Sequence, residues 1–63
     1  MNGTVVEAAN GIYKVECEGG HVVTARLKKR LKRFRIRVVL GDKVTVGVSP
    51  YDASRGFITY RHS

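Results

Sequence analysis

The sequence predicts an all-β domain: a closed five-stranded barrel with the OB-fold layout, carrying one short helix between its third and fourth strands. Three observations carry that expectation. Short β-favouring segments recur between glycine-containing turns. One interior segment switches its apolar spacing from every second residue to every third or fourth. The chain has 63 residues, and at that size closing the sheet removes edges that a small domain can hardly protect. Residues 1–63 therefore form a single domain.

The first strand spans residues 4–9, TVVEAA. Asn10-Gly11 follows as a two-residue hairpin turn, because both residue types tolerate positive φ. In the second strand, residues 12–17, Tyr13, Val15 and Cys17 alternate with Lys14 and Glu16, so one face is apolar and the other charged. Residues 18–20, EGG, turn the chain into a third strand, residues 21–27, with Val23, Ala25 and Leu27 inward and Thr24 and Arg26 outward. Leu27, Leu31 and Phe34 then stand at i, i+4 and i+7, on one side of a short helix over residues 28–33 that caps the barrel. From Arg35 to Val38 the period returns to two, as in an extended segment. Gly41-Asp42 is a turn. The fourth strand, residues 43–48, points Val44, Val46 and Val48 inward and Lys43 and Thr45 outward. Residues 49–56 read as a loop, with Pro50 fixing φ and Gly56 suited to a left-handed conformation. Residues 57–61 make the last strand, and a frayed tail is expected from His62. An SH3-like barrel is the competing architecture, but it normally lacks a helix at that point.

The charge pattern bears on function. The net charge is +7, yet residues 19–41 hold eight basic and no acidic side chains, and the rest of the chain nets −1. Eight of the twelve residues from Arg26 to Arg37 are Lys or Arg. A solvated linker is the bland reading of a charge run. Solubility, however, needs only interspersed charge, and uncompensated like charge is unfavourable in a compact domain. A polyanionic partner is the better explanation. Anionic lipid would need a broad apolar helix face, and three apolar residues do not supply one. Nucleic acid fits, because OB-folds bind it on the face of strands two and three and on neighbouring loops. Lys14 and Arg26 are expected on that face, Lys43 outward on the fourth strand, and Lys28, Lys29, Arg30, Lys32, Arg33, Arg35 and Arg37 along the connection. The arginines add a planar fork that pairs with phosphate and stacks on bases. The aromatics are few, namely Tyr13, Phe34, Tyr51, Phe57 and Tyr60. The expected site is therefore charge-dominated, suited to the phosphates and shape of folded RNA.

Other chemistries find little support. Cys17 is the sole cysteine and reads as a small core residue, so no intrachain disulfide can form. Cys17, His21 and His62 match no zinc spacing, and His21 reads as solvated. Ser49 and Ser54 have no evident base, and Asp42 and Asp52 fit turns for backbone reasons. No enzyme activity, metal or cofactor is expected. No apolar run approaches the roughly 20 residues that span a bilayer, and the first residues lack the features of a signal peptide.

Several stretches also resemble a known family. GTVVEA (3–8), YKVECEGGHVVTA (13–25), IRVVLGDKVTV (36–46) and SPYDASRGFITYR (49–61) together are similar to bacterial-type translation initiation factor one, over nearly the whole chain. The resemblance implies an S1-like OB-fold and a monomeric cytoplasmic or organellar factor. It implies binding at the aminoacyl-tRNA site of the small ribosomal subunit, through a ribosomal RNA helix whose bases are displaced, and assistance to initiation factors two and three. Lys32 and Arg37 match basic family positions in the connection, Arg30 a position that is usually Lys, and Arg61 the Arg after the last strand. The chain departs from the family where His-Ile-Ser-Gly-Lys is common and it reads Arg26-Leu27-Lys28-Lys29-Arg30, and where Asn-Tyr is common and it reads Phe34-Arg35. A charged segment that usually precedes the first strand has no counterpart before NGTVV. A plastid, organellar, divergent bacterial or shortened version would carry these departures. The alternative function is a general RNA chaperone of cold-shock type; a membrane-surface module is a third reading, from a different class.

Overall fold

The computed structural model describes residues 1–33 and 37–62, with Arg30 described by its backbone alone. The expectations for Phe34 as a barrel cap, for Arg35 as a ligand of RNA and for Ile36 as part of an extended segment lie outside the described residues, as does the position of Ser63.

Five strands close into a barrel in the spatial order β1-β2-β3-β5-β4, with β4 returning to β1. β1 is Asn2–Ala9, β2 Ile12–Cys17, β3 Val22–Leu27, β4 Lys43–Ser49 and β5 Asp52–Arg61; α1, Lys29–Arg33, lies between β3 and β4. All pairings are antiparallel except β3 with β5, which is parallel. A parallel pair cannot be joined by a tight hairpin. The connection that carries α1 and the β4–β5 hairpin together supply the crossover.

Local chemistry explains the turns. Asn10 and Gly11 have φ of 52° and 78°, the two positive values of a type I′ hairpin, and Ala9 pairs directly with Ile12. After β2 the EGG segment makes a single 3-10 turn in which both Gly19 and Gly20 are left-handed. A bulge in β1 shifts the register between Val5 and Glu7. Val6 is the extra residue, so Val5 is buried while Val6 turns outward, 47 % exposed. Such a bulge bends the strand and raises its twist, which helps a short sheet to close.

The core consists of Val5, Val15, Cys17, Val23, Ala25, Leu31, Val38, Val44, Val46 and Ile58, with Tyr13, Leu27 and Val48 packed against it. The inward sets expected for β2, β3 and β4 are therefore the observed ones. Leu31 reaches this core from α1, as the i, i+4 spacing from Leu27 requires. The helix begins where the Lys28 N–H donates to the Ile58 carbonyl at 3.2 Å, which fixes it beside β5. Burial pushes the Cys17 thiol above its usual range, so the group stays protonated at neutral pH.

Three expectations need correction. β1 begins at Asn2 and β3 at Val22, shifts of one or two residues at strand ends. The loop expected over residues 49–56 is mostly strand: β5 starts at Asp52, and only Pro50 and Tyr51 lie between β4 and β5. Gly56 accordingly has no left-handed φ. It pairs with Val48 across the ladder, and a Cβ there would collide with the Gly47 carbonyl oxygen. Close strand approach, not turn geometry, requires that glycine. The tail is also tied down at His62, whose N–H donates to the Lys43 carbonyl at 2.8 Å and whose Nε2 lies 2.6 Å from the Thr45 hydroxyl.

Candidate nucleic-acid interface

Alternation along β3 turns Arg26 outward, and α1 buries Leu31 while Lys29, Lys32 and Arg33 stay in solvent. Arg26, Lys28, Lys29, Lys32, Arg33 and Arg37 are all exposed. Among the described residues none of these six has a carboxylate within ion-pair distance. These six cations lie in the stretch from the end of β3 through α1 to Arg37, without an ion-paired carboxylate among the described residues. The side chain of Arg30 and all of Arg35 lie outside the described residues. Lys43 is exposed at the start of β4, next to the paired tail.

Two other cations are placed differently. Lys14 is opposite Glu7 across β1–β2, with Nζ 3.6 Å from Oε2. Both side chains are more than half exposed, so this pair contributes under about 1 kcal/mol and releases Lys14 easily. Arg61 is held more firmly. Its Nε donates to Asp42 Oδ2 at 3.2 Å, and the same oxygen accepts the Val39 N–H at 2.9 Å.

Sequence reading missed this clamp. Asp42 is only 8 % exposed, the one buried charged residue among those described. Around it the Gly41 N–H donates to the Val5 carbonyl and the Val5 N–H to the Asp42 carbonyl, each at 2.9 Å. The end of the cationic connection is thus fastened to β1 by its backbone and to β5 by Arg61. Turn preference explains an Asp at this position, but only the tertiary partner reveals its second role. Asp42→Ala is expected to lower stability by about 1–2 kcal/mol, because it strands the partly buried Val39 N–H and the partly buried guanidinium of Arg61. Asp42→Asn should lose about half as much, since its carbonyl oxygen still accepts from Val39. Thermal denaturation of the two variants checks the order.

His21, read from sequence as solvated, is exposed but not idle: its Nε2 lies 2.9 Å from the Ala53 carbonyl, linking the start of β3 to that of β5. Asp52, expected in a turn, is instead the first residue of β5, directly after the Pro50-Tyr51 turn. Hydrogen bonds from the Ser54 hydroxyl and N–H hold its carboxyl below the usual range. Tyr51 and Phe57 are both exposed, at 97 % and 52 %. Among the described residues no helix is long and apolar enough to cross a membrane.

A closed five-stranded barrel with a short helix in its third connection defines a small OB-fold protein, and exposed cations without an ion-paired carboxylate among the described residues lie along that connection. The sequence matches the family of translation initiation factor 1A / IF-1 over residues 1–63, and the chain belongs to that family. It is accordingly a translation initiation factor.

Solved structures agree. The solution structure of a translation initiation factor one, from the Wolbachia endosymbiont strain TRS of Brugia malayi, is similar, with a TM-score of 0.81 and 27 % identity, over 100 % of this chain and 76 % of that one. The crystal structure of YloQ, a circularly permuted GTPase, contains a similar fold, with a TM-score of 0.82 and 20 % identity, over 98 % of this chain. This chain spans only 22 % of that GTPase, and the likeness concerns the fold alone.

Proposed function

We propose that this factor binds the aminoacyl-tRNA site of the small ribosomal subunit through ribosomal RNA and assists assembly of the initiation complex together with initiation factors two and three. It acts there as a monomer, in the cytoplasm or its organellar equivalent, and performs no catalysis. One observation carries the reading. Six exposed cations between Arg26 and Arg37 lack an internal partner among the described residues, in a chain of the initiation-factor family. Uncompensated positive charge on a rigid scaffold is the footprint of phosphate recognition. Lys32, Arg33 and Arg37 are assigned to phosphates of the ribosomal RNA, with Arg30 and Arg35 contributing from the same stretch. Arg26, Lys28, Lys29 and Lys43 extend that surface, Lys14 joins it on release from Glu7, and Arg61 supports it from beneath. Co-sedimentation with small subunits tests the proposal. A ligand of the aminoacyl-tRNA site should displace the factor, and excess unstructured RNA should not. Retention in the presence of the site ligand would refute the assignment, and displacement by unstructured RNA would favour a general RNA chaperone instead.

A further inference from the structure

The cations of the connection differ in what holds them. Arg26 lies in β3, Lys29, Lys32 and Arg33 lie in α1, and Lys28 is anchored by its N–H on the Ile58 carbonyl. Arg37 belongs to no helix or strand. Among the described residues neither Arg37 nor Val38 makes a backbone hydrogen bond. The Val38 side chain is buried, and the first backbone group after Arg37 with a partner is the Val39 N–H. That partner is a side chain, Asp42 Oδ2, at 2.9 Å. A cation with no ladder or helical turn beneath it thus takes its position from one buried valine and one carboxylate.

That carboxylate is itself fixed to the barrel. The Asp42 N–H donates to the Val39 carbonyl at 3.1 Å, so residues 39–42 close on themselves as a turn, with Gly41 at a φ of 86°. Backbone bonds to Val5 join the turn to β1, and Arg61 Nε joins β5 to Asp42 Oδ2. An acid beside a surface assigned to phosphates works against it by simple repulsion. The turn alone would be served as well by Asn, which carries no charge. What the charge adds is strength in the bonds from Val39 and Arg61, since an ionised acceptor makes a hydrogen bond roughly twice as strong as a neutral one.

We propose that Asp42 is a positioning residue for RNA recognition: through the Val39 N–H it fixes the direction from which Arg37 meets phosphate, and Arg61 holds the carboxylate for that task. The proposal rests on the assignment of Arg37 to ribosomal RNA and adds to it a group that does not touch the RNA. Position before contact matters because every group ordered on binding takes free energy from the complex. With Asp42 in place, only the Arg37 side chain is left to order. Without it, the backbone from Arg37 to Val39 must be ordered as well.

The test is a double-mutant cycle in the full chain, read by co-sedimentation with small ribosomal subunits at a temperature where circular dichroism shows every variant folded. Arg37→Ala alone should weaken binding about tenfold, the effect of one charge-assisted contact to phosphate. Asp42→Ala alone should weaken it about tenfold, the effect of ordering a short stretch of backbone. In the Asp42→Ala background, Arg37→Ala should cost less than about threefold more, whereas Lys32→Ala, on α1, should keep its full effect. Asp42→Asn keeps an acceptor for Val39 and should bind between the parent and Asp42→Ala, although the two variants carry the same charge. Charge alone predicts the opposite sign, since removing an acid should tighten binding to phosphate. Val15→Ala, a core change in β2, lowers the melting temperature without touching the connection and should bind as the parent does. Tighter binding by both Asp42 variants, additive losses at Asp42 and Arg37, or an equal loss in Val15→Ala would overturn the proposal and leave the RNA assignment standing. Parental binding by Arg37→Ala would overturn both, because no contact would be left to position.

Discussion

Alanine at both Lys32 and Arg37 is expected to weaken binding to the small ribosomal subunit about a hundredfold and to leave the melting curve where it is. Both side chains are exposed, and neither has a carboxylate partner among the described residues. Removing them costs the free protein no ion pair and relieves some like-charge repulsion. In a complex, each would make a charge-assisted hydrogen bond to phosphate worth about 1.5–3 kcal/mol, or roughly tenfold or more in affinity. Loss of two phosphate contacts should also reduce the salt dependence of binding by about two counterions. The check is co-sedimentation at several salt concentrations beside thermal denaturation. Arg61→Ala provides the contrast: its guanidinium is engaged by Asp42, so that variant should lose stability first. Unchanged subunit binding by the double variant would remove Lys32 and Arg37 from the interface.

The second large effect concerns folding. Gly56→Ala is expected to cost about 3 kcal/mol or more, at the upper end of overpacking penalties, because the obstacle is backbone and cannot change rotamer. The new Cβ would meet the Gly47 carbonyl oxygen, with the Gly47 carbonyl carbon at 3.0 Å and Val48 Cα at 3.1 Å behind it. β4 and β5 would have to part at the pairing of Val48 with Gly56. At ~0.05–0.15 kcal/mol per residue, a domain of this length has only about 3–9 kcal/mol in total, so the change removes a third or more of its stability. Gly47→Ala, one strand away, should be nearly neutral or slightly stabilising, since it has room and gains β-propensity. Melting temperatures of the pair decide the matter. A Gly56→Ala protein as stable as the parent would mean that the strands do not approach this closely.

Much of the barrel was legible in the residues because local and tertiary signals agree there. β2 alternates cleanly, Asn10-Gly11 admits only a narrow set of turns, and Val44 and Val46 have a polar residue between them. The short helix was visible because Leu27 and Leu31 face the core together. What stayed hidden depends on partners distant in sequence. Residues 52–56 are polar and carry a glycine, so they look like a loop; they are strand because β3 and β4 both bind them. Val6 breaks the alternation of β1 through a bulge that composition does not mark. The partly buried pairing of Asp42 with Arg61 joins positions 19 residues apart, and an Arg at a strand end reads first as a surface cation.

The candidate site divides along the same line. A run of cations is visible in any order of folding, so the charge on the connection could be read directly. The open groove on the barrel lined by Ile12, Arg26, Gly47 and Phe57 could not, because these residues become neighbours only through the registers of four strands. A hint was available in the alternation of exposed Phe57 with buried Ile58. That hint carries weight only once β5 is known to run beside β3.

The affinity of the intact protein for small ribosomal subunits, followed as salt is raised, tests the central claim most directly. If the connection neutralises about six phosphates, log affinity should fall against log salt with a slope of about −5, on the duplex coefficient of about −0.9 per phosphate. Binding that stays flat from low to moderate salt would contradict the claim that this barrel recognises its partner through uncompensated positive charge.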